Sequence, residues 1–160
     1  MSDKATLYRT MSLQLGSLME GCRMALPTLA NCAALMWMSM PEINWAGFYL
    51  MKKGQLVLGP FQGRPACIEI ALSRGVCGAA AREDRVQRVA DVHLFPGHIA
   101  CDSASASEIV IPLHLNGKII GVLDIDSPET NRFTEADEQG LQLLADVLEK
   151  HFAQMEDWPC

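Results

Sequence analysis

The chemistry in this chain starts with a cysteine and three acids. Cys101 lies within Phe95-Pro96-Gly97-His98-Ile99-Ala100-Cys101-Asp102-Ser103-Ala104-Ser105-Ala106-Ser107-Glu108, a stretch too poor in large apolar side chains to be core. Its small hydroxyl and methyl groups let a ligand come close to the backbone. This reads as a reactive thiol on a loop held by a rigid frame, where function concentrates. The alternative is a Ser/Ala surface loop carrying an inert cysteine. Further on, Gly121-Val122-Leu123-Asp124-Ile125-Asp126-Ser127 reads as a strand. Alternation puts Asp124 and Asp126 on one face, about 7 Å apart, and Leu123 and Ile125 on the other. Glu108 opens the paired strand and adds a third carboxylate to that face. A solvated polar face would show the same pattern. Gathered in one pocket, such acids could hold an ammonium group, and like-charge repulsion would keep one of them protonated beside a thiol. Trp45 and Tyr49, four apart on a strand, share a face and either wall an apolar pocket or serve as ordinary core aromatics. The sum is an anionic, aromatic-lined pocket with a cysteine, suited to a small cationic or amino-acid-like ligand and to redox or acyl chemistry.

The chain of 160 residues is expected to be one domain with a real core. A formal charge of −6 with scattered Lys and Arg excludes nucleic acid and anionic membrane as expected partners. No apolar leader follows Met1, and the apolar window Met24–Met40 is broken by Pro27 and Asn31 and too short to span a bilayer. Six cysteines without a secretion signal point to a reducing, cytoplasmic compartment. No Cys-x-x-Cys pair is present, and His98 with Cys101 lacks a second ligand pair, so no metal site is expected.

The elements that must position these groups read as α+β. Leu7, Met11, Leu15 and Leu18 predict an amphipathic helix over residues 4–20, stopped by Gly21. A second helix is predicted over 27–38, with Pro27 in its first turn and Leu29, Cys32, Ala33 and Met36 inward. Strands are predicted at 45–50, 55–59 and 67–70, a short helix after the turn at Gly75, and an extended piece over 86–92. Asn116-Gly117 joins 108–115 to 118–126 as a hairpin. Thr134 caps a last helix to about Phe152, with Asp137 in the capping-box position and Leu141, Leu144, Val147 and Leu148 buried. Residues 154–160 form a tail, which makes Cys160 a bystander. The expected architecture is a central antiparallel sheet (41–127) with the N-terminal helices (1–40) and last helix (133–152) on one face and loops with a short helix on the other.

Several motifs carry a family resemblance. "NWAGFYL" (44–50), "LGPFQGRPAC" (58–67), "GVCG" (75–78), "FPGHIACDSAS" (95–105), "SEIVIP" (107–112), "GVLDIDS" (121–127) and "RFTEADEQGL" (132–141) together resemble the free methionine-(R)-sulfoxide reductases. These are stand-alone GAF-domain enzymes, and the similarity runs in order through about nine-tenths of the chain. The resemblance implies a single GAF domain over 1–160 that reduces free L-methionine (R)-S-oxide with thioredoxin as external reductant and no bound cofactor. It implies that Cys101 attacks the sulfoxide sulfur and becomes a sulfenic acid, which Cys67 resolves as a disulfide. Cys77 is a second partner or an early attacker. It further implies that Glu108, Asp124 and Asp126 bind the ammonium group and the sulfoxide oxygen, that Trp45 and Tyr49 enclose the methyl-sulfur end, and that the enzyme is a homodimer. Ala106 and Ser73-Arg74 depart from the family pattern in loops, away from the cysteines and acids.

Two other classes stay open. A ligand-sensing GAF module would normally be joined to an output domain, and a carboxylate-rich pocket would repel a nucleotide phosphate. A thiol redox switch needs only Cys101 and a partner, and leaves the acids unexplained.

Overall fold

Apolar alternation along the middle of the chain builds one sheet with two different faces. The computed structural model describes residues 2–98 and 101–156. Its strands are β1 (Trp45–Lys52), β2 (Gln55–Gly63), β3 (Glu69–Ile70), β4 (Gln87–Val89), β5 (Ser107–Leu115) and β6 (Lys118–Ser127), in the order β3-β2-β1-β6-β5-β4. Every pairing is antiparallel. Both long hairpins turn through residues with positive φ: Lys53 and Gly54 at 52° and 79°, Asn116 and Gly117 at 53° and 75°. Two-residue turns of that kind match the twist of the strands they join.

On one face, Ala46, Phe48, Leu50, Ile109, Ile111, Leu113, Leu123 and Ile125 pack against α1 (Asp3–Met19), α2 (Ala25–Ser39) and α4 (Glu135–Phe152). On the other, Trp45, Tyr49, Val110 and Val122 pack with α3 (Gly75–Glu83), and the loops cross there. The α+β arrangement expected from the sequence is therefore the one observed. Cys32 is fully buried in the helical layer, where burial pushes its thiol up to about 12.

Some details correct the sequence-based expectations. Leu18 is not on the buried stripe of α1; it is 49% exposed, and the inward residues are Tyr8, Met11, Leu15 and Met19. Tyr8 can turn inward because its hydroxyl donates to Asp137 at 2.7 Å, a partner on α4 that helical periodicity alone does not reveal. Gly140 on α4 has no room for a Cβ beneath the Tyr8 ring, so the two helices meet closely at that point. The strand expected over 67–70 is only Glu69–Ile70, because Cys67 is drawn toward the loop carrying Cys101. The extended piece over 86–92 pairs only at Gln87–Val89, after which Asp91 accepts from the His93 amide at 3.0 Å and caps a 3-10 turn, Val92–Leu94. Asp137 accepts from the Thr134 amide at 2.7 Å and completes the expected capping box. Cys160 lies outside the described residues.

Candidate active site

The sheet face that carries α3 also carries the acids. Asp124 and Asp126 on β6 point to the same side as Val122, and Glu108 on β5 lies directly across from Asp126. On the other flank, β1 sets Trp45 opposite Asp126, Gly47 opposite Asp124 and Tyr49 opposite Val122. Gly47 has no side chain to project between the aromatics and the acids, and a Cβ there would strike Phe61 on β2. Phe61 stacks on Trp45 with ring centroids 5.1 Å apart, and Trp45 in turn lies 5.8 Å from Tyr49. Trp45, Tyr49, Cys77, Cys101, Glu108, Asp124 and Asp126 all line one cavity, together with His98, Asp102 and Ser105. Its free volume is about 50 Å³, room for a small number of water molecules.

Two loops form the roof. Cys67, just before β3, and Cys101 are joined by a disulfide with Cα atoms 5.6 Å apart. The Cys67 segment is held to the sheet below, since the Tyr49 hydroxyl donates to the Cys67 carbonyl at 2.8 Å and the Trp45 indole N–H donates to the Arg64 carbonyl at 3.2 Å. The Cys101 segment is held from the start of β1: the Asn44 amide donates to Ser105 Oγ at 3.2 Å and to Asp102 at 3.4 Å. Asp102 also accepts from the Ala104 amide at 2.9 Å and bends the loop. The Ala106 amide donates to the Ser127 carbonyl at 2.7 Å and returns the chain to the sheet.

Burial sets the electrostatics. Glu108 is held well above the usual carboxylate range by burial first, and then by the charges of Asp124 and Asp126. Asp126 is half-buried and raised likewise, by desolvation and then by Asp124. Asp124 is also raised by burial, but hydrogen bonds from Glu108 and Cys77 favour its charged form. Burial thus favours protonated forms across the trio, opposed at Asp124 by the hydrogen bonds it receives. Burial pushes the Cys77 thiol well up too, and Asp124, Glu108 and Asp126 add to the effect. Cys77 Sγ lies 3.9 Å from Glu108 Oε2.

Comparison with known proteins settles the family. The GAF domain family profile matches residues 5–152. The chain is 53% identical to the free methionine-R-sulfoxide reductase of Escherichia coli over 94% of its length and 92% of that protein. The chain belongs to the free methionine-R-sulfoxide reductase family. It is also 54% identical to Bacillus subtilis YtsP, over 95% of this chain and 94% of that one. The Neisseria meningitidis free methionine-R-sulfoxide reductase, solved in complex with its substrate, superposes with a TM-score of 0.92 at 44% identity, covering 96% of this chain and 93% of that one.

The structure brings seven of the eight sequence-nominated residues to one cavity, and the eighth, Cys67, is tied to it through its disulfide with Cys101. Sequence reasoning missed Phe61, which backs Trp45, and Asn44, which ties down the Cys101 loop. Asn44 adjoins Trp45 in the chain, but nothing in its local pattern indicates a partner some sixty residues away. Among the described residues, no helix is long and apolar enough to cross a membrane.

Proposed function

We propose that the protein reduces free L-methionine (R)-S-oxide to L-methionine. The observation that carries this reading is the Cys67–Cys101 disulfide closing over a buried carboxylate pocket walled by Trp45 and Tyr49. Asp124, with Glu108 and Asp126, binds the substrate ammonium group, and a protonated member of this trio donates to the sulfoxide oxygen. Trp45 and Tyr49 enclose the methyl-sulfur end. In the reduced protein the Cys101 thiolate attacks the sulfoxide sulfur. The sulfur–oxygen bond breaks, methionine leaves with two more electrons, and Cys101 keeps the oxygen as a sulfenic acid. The Cys67 thiol then displaces that oxygen as water and forms the disulfide. Two further electrons and two protons, supplied by thioredoxin, restore both thiols without any bound cofactor.

Cys77 serves as a second thiol partner. Its raised pKa leaves little thiolate at neutral pH, which favours Cys101 as the attacking group. The chain acts as one GAF domain in the cytoplasm and as a homodimer; exposed Leu13, Leu18 and Met38 on α1 and α2 offer apolar surface for a second copy. The test is NADPH consumption with thioredoxin and thioredoxin reductase, offering free methionine R-sulfoxide, the S epimer and a peptide sulfoxide to wild type and Cys101→Ser. Turnover of the free R form alone, abolished in Cys101→Ser, is expected. No turnover of any sulfoxide would sink the reading and leave a ligand-sensing GAF module.

A further inference from the structure

We propose that Cys77, Glu108 and Asp124 form a binding site for a soft divalent cation, zinc foremost, at the floor of the pocket. Each offers one ligand atom, and the three atoms lie within 4.8 Å of one another. A tetrahedral zinc with ordinary Zn–S and Zn–O bonds holds a sulfur and an oxygen ligand about 3.6 Å apart. Cys77 Sγ and Glu108 Oε2 already stand at 3.9 Å, so that pair needs to close by only a few tenths of an ångström to take the ion. The three side chains come from α3, β5 and β6, packed elements that hold their positions better than loops would. Because they come from separate elements, no ligand-spacing pattern in the sequence announces them.

A second observation points to a cation independently of the clustering. Asp124 is 4% exposed and lines the cavity, yet its Oδ1 is a buried oxygen with no hydrogen-bond partner among the described residues. A buried carboxylate oxygen without a donor is costly, and a cation is what would satisfy it. Among the described residues, no Lys or Arg side chain lines the cavity to do so. Cys77 and Glu108 are likewise only 4% and 8% exposed, so bulk water does not screen the set.

Ligand chemistry selects the ion. One thiolate with two carboxylates suits zinc, cobalt or cadmium better than magnesium or calcium, which prefer oxygen alone. The thiol gives up its proton to solvent on coordination, as does Glu108 where it is protonated, so binding strengthens as pH rises. Three protein ligands leave the fourth position open toward the cavity, for water. The site does not use Cys67 or Cys101 and is complete in the disulfide form. A cation there would occupy the floor of the pocket and exclude an amino acid from it, so zinc would inhibit whatever reaction the pocket serves.

The experiment is a cobalt(II) titration of the full chain in its disulfide form, in which Cys67 and Cys101 cannot ligate. The readout is thiolate-to-cobalt charge-transfer absorption, with zinc(II) added back to displace the cobalt. One equivalent per chain is expected, with the band lost in Cys77→Ser and affinity reduced at least tenfold in Asp124→Asn and Glu108→Gln. No band in wild type, or a band that survives Cys77→Ser, would overturn the proposal. If Cys77→Ser does not fold, the carboxylate variants decide, and unchanged affinity in both would equally overturn it.

Discussion

Glu108 and Asp126 sit directly opposite each other on adjacent antiparallel strands, with Asp124 two residues farther along β6 on the same face. Like charges in that register destabilise a sheet. The conflict is eased because burial and the neighbouring Asp124 both shift Glu108 and Asp126 toward their protonated forms. The arrangement is therefore a cost to stability, which the proposed binding of substrate would offset.

Neutralising either member should stabilise the protein while disabling it. Glu108→Gln or Asp126→Asn is expected to add about 1 kcal/mol, or roughly 2–4 °C in Tm, at neutral pH. The same variants should lose about 100-fold or more in kcat/KM for free methionine R-sulfoxide. Thermal melts beside turnover assays check both; a drop in Tm would show that the pair is not in conflict.

The pH profile of stability should carry the same signature. Glu108 and Asp126 have folded-state pKa values raised above the ordinary 4.5 and 3.8, so the folded state binds more protons than the unfolded one above that range. Their stabilising contribution is complete below those ordinary values and is lost as pH rises through the folded-state values. Denaturant midpoints of wild type should fall with rising pH over that window, and Glu108→Gln should flatten the slope.

Tyr49 should matter to resolution more than to attack. Removing its bond to the Cys67 carbonyl in Tyr49→Phe loosens the segment that must meet Cys101. A bond of that kind is worth about 1 kcal/mol, so disulfide formation should slow by about fivefold while the first sulfoxide reduction proceeds at the wild-type rate. Rapid-quench trapping of the sulfenic acid separates the two steps, and an equal slowing of both would contradict this role.

Asp137 anchors the opposite face. It accepts from Lys4 and Tyr8, each at 2.7 Å, and from Arg132 at 3.2 Å. Burial alone would raise its pKa, but these partners and the Thr134 amide outweigh it and bring the carboxyl down to about 2 from 3.8. Its contribution, on the order of 2 kcal/mol, is present above pH 3.8 and lost as pH falls through about 2. Asp137→Asn should cost about 3 kcal/mol and flatten that acid limb, with turnover retained because the residue lies in the helical layer. Acid-unfolding curves and assays on the folded variant test this.

What the sequence disclosed was governed by short-range periodicity. Alternation along Val122–Asp126 was enough to place Asp124 and Asp126 on one face, but the Asn116-Gly117 turn alone would set Glu108 opposite Ile125; a register shift between Leu113 and His114 brings it opposite Asp126. The composition of the 95–108 stretch marked Cys101, and the family motifs then added Cys67 and Cys77. Features that depend on distant partners stayed hidden. The inward turn of Tyr8 depends on Asp137, 129 residues away, and the Cys101 loop on Asn44. The shortness of β3 follows from the disulfide drawing Cys67 aside.

The bridge from Cys67 to Cys101 also has a kinetic consequence. One of its halves, Cys101, lines a cavity that, with the bridge formed, has room for only a small number of water molecules. On the proposed reaction, amino acid and oxidised thiols would take turns in one space: product would have to depart before the next substrate entered, and external reductant would have to restore the thiols first. Such an enzyme obeys a double-displacement rate law, and its throughput tracks the supply of reducing equivalents even when sulfoxide is abundant.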